Sequence, residues 1–118
     1  MHALIVDDDE PSCQLLAKIL KRGGFTADWT ADTYTGLAWS RTRSYDLFLL
    51  DVLMPKLCGT ELATLIKQQP AAKIVLISAF PQYNFQQTAH PLGLPLLAKP
   101  FSPSSLLALT SQVLLASW

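Results

Sequence analysis

At 118 residues the chain has the length of one domain, 1–118, with a real hydrophobic core. Half of its residues are apolar, 15% are charged and the net charge is zero, so no basic field draws in nucleic acid or an anionic membrane surface. Its two cysteines, Cys13 and Cys58, lack metal-ligand spacing and read as free thiols of a reducing cytoplasm.

The acids from Asp7 onward interrupt any secretory h-region, and Pro, Gln, Ser and Asn break every uncharged stretch. A soluble, cytoplasmic protein is expected. "ALIVD", Ala3 to Asp7, reads as a first strand. A helix follows with Pro11 in its first turn, Leu15, Leu16, Ile19 and Leu20 on one face, and Gly23–Gly24 as its stop. "FTADWT" alternates Phe25, Ala27 and Trp29 as a strand with one polar face. Asp32 to Arg43 is expected to be helical, with Tyr34, Leu37 and Ala38 inward.

"YDLFLLD" is apolar on both faces and so reads as a central strand. Gly59 to Gln69 suits a helix with Leu62, Leu65 and Ile66 inward, closed by Pro70. "KIVLIS", Lys73 to Ser78, is another buried strand, and Pro81, Pro91 and Gly93 leave room for a short helix between 80 and 93. "LPLLAK" is a fifth strand, and Ser102 as N-cap with Pro103 opens a last helix to about Ala116. Alternating strands and helices with short connections predict an α/β, doubly wound, five-stranded parallel sheet with five helices. Its crevice should lie at the carboxyl ends of the strands.

Polar residues gather at those ends. The first strand finishes in Asp7, Asp8 and Asp9, the third in Asp51, the fourth in Ser78 and the fifth in Lys99. Carboxylates so placed repel one another, and an oxygen-loving divalent cation such as Mg²⁺ relieves them. The cation, the Lys99 ammonium and the Ser78 hydroxyl can surround a phosphoryl group, with Asp51 as a carboxylate nucleophile. Singly, each residue has an ordinary reading: solvated helix-start acids, a turn acid, a surface lysine. Their joint arrival at one sheet edge makes the pattern.

"LIVDDDE" at 4–10, "LLDVLMP" at 49–55, "LISA" at 76–79 and "LAKPF" at 97–101 resemble, in order and spacing, the receiver domain of two-component response regulators. The resemblance covers essentially the whole chain and implies the flavodoxin-like strand order 2-1-3-4-5. It implies Asp51 as phosphoacceptor, with Mg²⁺ held by Asp8, by Asp7 through water, by Asp51 and by the main-chain carbonyl of Leu53. Ser78 and Lys99 then hold the phosphoryl oxygens, and Lys99–Pro100 matches the family's cis peptide. Asp9 and Glu10 fall outside the acidic pair and serve to start the helix. The donor it implies is a histidine kinase or a histidine phosphotransfer protein.

The chain also departs from the family pattern. Leu96 stands three residues before Lys99, where the family carries an aromatic switch residue, and "LGLPL" with Pro95 precedes it. Pro95 suits an edge strand. Cys58 replaces a common Asp before Gly59, which removes a possible cap. Leu53 and Phe80 occupy the positions that tune water access, and neither hydrogen-bonds an attacking water, so slow loss of phosphate is expected.

Between Ile74 and Trp118, Lys99 is the sole Asp, Glu, Lys or Arg. Phe80, Tyr83, Phe85, Leu92, Leu94, Leu96 and Trp118 are divided between core and a face for a dimer mate or neighbouring domain. Two readings stand beside each other: a phosphoacceptor domain, and a receiver acting as a constitutive interaction or dimerisation module. An independent Mg²⁺ phosphohydrolase is disfavoured, because Leu53 occupies the place of the second acid such chemistry uses.

Overall fold

A computed structural model describes residues 1–54, 56–69, 71–79 and 94–115. Its elements are β1 (His2–Val6), α1 (Glu10–Arg22), β2 (Thr26–Thr30), α2 (Thr33–Thr42), β3 (Leu47–Asp51), α3 (Gly59–Ile66), β4 (Ile74–Ser78), β5 (Leu96–Ala98) and α4 (Pro103–Leu115). The strands form one parallel sheet in the order β2-β1-β3-β4-β5. Four of the five expected helices lie among the described residues; the one expected within 80–93 lies outside them, as does Pro70.

The doubly wound arrangement follows from strands that are apolar on both sides. Ala3, Ile5, Leu47, Leu49, Val75 and Ile77 pack with α1 and α4, while Leu4, Val6, Phe48, Leu50, Ile74 and Leu76 pack with α2 and α3. Side chains alternate along each strand, so β3 and β4 need two covered faces and read as unbroken apolar runs. Each such Leu, Ile or Phe fully removed from water contributes roughly 1.5–3 kcal/mol. Edge strand β2 is only half-buried, in keeping with its alternating sequence.

Helix α1 begins at Asp9, whose Oδ2 accepts from Ser12 N at 3.2 Å and from Ser12 Oγ at 2.6 Å. It ends at Gly23, followed by Gly24 at φ 92°. Its buried stripe is Cys13, Leu16, Ala17, Ile19 and Leu20. Leu15, expected inward, is 51% exposed. It lies about 200° around the helix from Cys13 at roughly 100° per residue, so adjacency to Leu16 in sequence misled.

Helix α2 corrects its expectation too. Tyr34 is 54% exposed and Ala38 is exposed, whereas Thr33, Gly36 and Ser40 are buried and Leu37 is half-buried. The helix lies so close to β1 that a Cβ on Gly36 would stand 2.6 Å from Val6 Cγ2. Small residues therefore face the sheet, and the larger ones are displaced outward.

Helix α3 stops at Ile66, three residues short of the expected Gln69, with turns from Leu65 and Ile66 carrying on to Gln69. Leu62, Ala63 and Ile66 are buried and Leu65 is half-buried. Ser102 caps α4 reciprocally: its Oγ accepts from Ser105 N at 3.0 Å and its N donates to Ser105 Oγ at 3.1 Å. Strand β5 is the edge expected from Pro95, whose carbonyl accepts from Leu76 N at 2.9 Å. Leu94 is buried and leaves the proposed uncharged face, while Leu96 is half-buried against the same core. Phe80, Tyr83, Phe85, Leu92 and Trp118 lie outside the described residues. No helix among the described residues is long and apolar enough to cross a membrane.

Candidate functional site

Parallel strands deliver their carboxyl ends to one edge, and the acids arrive there by register. Val6 pairs with Leu50 across β1 and β3, so Asp7 and Asp51 follow each other out of the sheet. Asp7 is wholly buried: its Oδ1 accepts from Asp9 N at 3.0 Å and its Oδ2 from Lys99 Nζ at 2.8 Å. Asp51 is 6% exposed, with Oδ1 at 3.9 Å from Lys99 Nζ. Asp8 is exposed, and Asp7, Asp8 and Asp51 each offer an oxygen within 4.8 Å of the others. Three carboxylates at that spacing are a donor set for a hard divalent cation.

Electrostatics follow from this crowding. Burial, then the neighbouring Asp7 charge, pushes the Asp51 carboxyl up to about 7, with Asp8 adding to the rise and Lys99 opposing it. Burial works against the charge on Lys99 as well, but the hydrogen bond to Asp7 and the charges of Asp51 and Asp7 hold its pKa above the ordinary value. The site thus stores unrelieved negative charge around one committed ammonium.

Ser78 ends β4, buried and opposite Ala98 of β5. Its carbonyl accepts from Lys99 N at 2.7 Å, which ties the lysine's backbone to the serine. Leu53 stands two residues past Asp51 and is 45% exposed at the mouth. Lys99–Pro100 is cis. Asp9 is the N-cap of α1, as expected, and its hydrogen bonds from Ser12 lower its carboxyl. Cys58 flanks α3 without a side-chain cap bond, and both thiols are free. Burial, then the Asp7 charge, pushes the Cys13 thiol up to about 12, which keeps it unreactive. Phe80 lies outside the described residues.

One residue of the site escaped the sequence reading. A Cβ on Gly59 would meet the Asp51 carbonyl oxygen at 2.0 Å and Val52 Cα at 2.9 Å. Gly59 N also donates to Val52 O at 3.0 Å, so the start of α3 presses on the backbone of Asp51 itself. The available signal was a glycine eight residues past the acid at the first position of a helix.

Comparison with known proteins agrees with this geometry. The family described as response regulator receiver domain matches residues 3–111. The transcriptional activator protein IrlR of Burkholderia pseudomallei is 30% identical over 115 residues, which are 97% of this chain and 50% of that protein. Among solved structures, the chemotaxis protein CheY4 of Vibrio cholerae has a TM-score of 0.87 at 26% identity, covering 95% of this chain and 97% of that one. The response regulator protein TrrA of Thermotoga maritima, in complex with Mg²⁺-BeF, has a TM-score of 0.85 at 27% identity, covering 95% and 97%. The chain spans about half the length of the curated relatives it matches.

Proposed function

Because the chain belongs to the response regulator receiver domain family, we propose that it accepts a phosphoryl group on Asp51 from a phosphohistidine of a histidine kinase or histidine phosphotransfer protein. A carboxylate oxygen of Asp51 attacks phosphorus, the P–O bond forms as the P–N bond breaks, and the donor ring, already protonated on its other nitrogen, leaves as neutral imidazole. Asp7, Asp8, Asp51 and the Leu53 carbonyl are the residues that would hold Mg²⁺, which when bound supplies positive charge to the transferring oxygens.

The chain's own groups carry the rest. Lys99, already drawn between Asp7 and Asp51, offers its ammonium to a phosphoryl oxygen, and Ser78 offers its hydroxyl to another. Burial of Asp51 keeps the nucleophile in one orientation, so little reorganisation is needed at the moment of transfer. The observation that carries this reading is Lys99 Nζ at 2.8 Å from Asp7 and 3.9 Å from Asp51, beside three carboxylates within 4.8 Å.

Leu96 supports a second reading, a constitutive interaction module, since it has no ring to swing inward. Incubation with Mg²⁺ and acetyl phosphate, followed by intact mass, separates the two. Uptake of one phosphoryl group, abolished by Asp51→Ala, supports phosphotransfer. Absence of any uptake favours the interaction module, and multiple turnover of a phosphoester would indicate a hydrolase instead.

A further inference from the structure

Lys56 and Asp32 form an ion pair that lies outside both the acid pocket and the core. Lys56 lies in the loop between β3 and α3 with φ 71°, a left-handed backbone that a residue with a Cβ enters only at a steric cost. Such a conformation persists where neighbours over-determine it. Its Nζ lies 3.1 Å from Asp32 Oδ1 and 5.9 Å from the centre of the Tyr34 ring. The other oxygen of Asp32 is committed to α2: Oδ2 accepts from Thr35 N at 2.9 Å and Thr35 Oγ1 at 2.7 Å. Those bonds, with Lys56 behind them, hold the Asp32 carboxyl down at about 2, so this anchor stays charged.

Topology gives the pair its meaning. β1 lies between β2 and β3, so the loops leaving those two strands start about 10 Å apart, twice the strand spacing. The pair bridges that gap beside the carboxyl end of β1, where Asp7 and Asp8 stand. Asp32 N donates to Thr30 Oγ1 at 3.1 Å, and Thr30 O accepts from Asp7 N at 3.3 Å. One end of the bridge therefore belongs to the loop that leaves Asp51, and the other is tied to the strand end beside Asp7.

We propose that Lys56 is a positioning residue that, through Asp32, holds the β3–α3 loop in the arrangement that receives the divalent cation. The proposal rests on the reading of Asp7, Asp8 and Asp51 as a cation site. Simple charge counting makes a different forecast. Removing the Lys56 charge should tighten cation binding, and removing the Asp32 charge should weaken it. A positioning role requires both changes to weaken it.

The test is calorimetric titration of Mg²⁺ into the wild-type protein, Lys56→Met, Asp32→Asn, the double variant and Lys56→Arg, with urea unfolding of each metal-free protein alongside. Asn at 32 keeps an oxygen for the α2 cap. The expected result is a loss of about two- to fivefold in affinity for either single variant, the scale of an exposed ion pair. The double variant should lose no more than either single, Lys56→Arg should retain the affinity, and the affinity losses should not follow the changes in unfolding midpoint. Tighter binding by Lys56→Met, unchanged affinities, additive losses or losses that follow the unfolding midpoints would each overturn the proposal alone. A wild-type protein that takes up no Mg²⁺ overturns the cation-site reading, and this inference falls with it.

Discussion

The ammonium of Lys99 donates to the wholly buried Oδ2 of Asp7 at 2.8 Å, while Asp51 Oδ1 waits 3.9 Å away. One cation thus serves two acids unequally, and Asp51 is left under-compensated. Replacing the amine changes the titration of Asp51 directly: in Lys99→Met its midpoint should rise above the wild-type value of about 7, because the Lys99 charge lowers it. Carboxyl carbon NMR of metal-free protein measures this, and an unmoved midpoint contradicts it.

Stability should depend on pH through the same carboxyl. An unfolded Asp titrates near about 3.9, whereas Asp51 in the fold titrates near about 7. Between those values the native state holds a proton that the unfolded chain has released, so raising the pH through the window removes stability, by at most roughly 4 kcal/mol. Urea unfolding between about pH 4.5 and 7.5 should show a decline that Asp51→Asn flattens and added Mg²⁺ counteracts. A flat wild-type profile would rule this out.

Gly59→Ala sets two effects against each other. Helix propensity favours alanine by about 1 kcal/mol, but the new Cβ would stand 2.0 Å from the Asp51 carbonyl oxygen, a backbone atom that cannot swing aside. Overpacking of this kind costs about 1–3 kcal/mol, so the variant should lose stability and bind Mg²⁺ less tightly, since Asp51 must shift with its carbonyl. Unfolding and calorimetry together check this. A stabilised variant would show that the helix start relaxes freely.

Leu53, 45% exposed at the mouth, offers no hydrogen bond to an attacking water. Phosphorylated protein should therefore keep its phosphoryl group for many minutes, and Leu53→Asn should shorten the lifetime by roughly tenfold, a barrier change of only about 1.4 kcal/mol. Phosphoryl loss followed by mass gives both numbers. A wild-type lifetime of seconds refutes the expectation.

Strand positions were readable because burial on both faces leaves unbroken runs such as Leu47 to Leu50, and because polar residues close each run. That pattern alone puts Asp7, Asp51, Ser78 and Lys99 at one edge of the sheet. Helix faces were harder. Leu15 and Tyr34 are large and apolar, yet α1 turns one outward and α2 approaches β1 too closely to admit the other. Gly59 and the Lys56–Asp32 bridge were illegible for a related reason. Each depends on how near two backbones or two loops come, and composition and periodicity carry no record of that distance.

The Lys99 amine hangs from the end of β5, a strand of three residues at the margin of the sheet with β4 as its neighbour. Its carboxylate partners hang from β1 and β3, which are flanked on both sides. Margins detach more readily than interiors. Mild heat or denaturant should therefore silence the proposed phosphoryl uptake on Asp51 while the far-ultraviolet circular dichroism of the remaining structure still looks native, so the site would come apart before the protein melts.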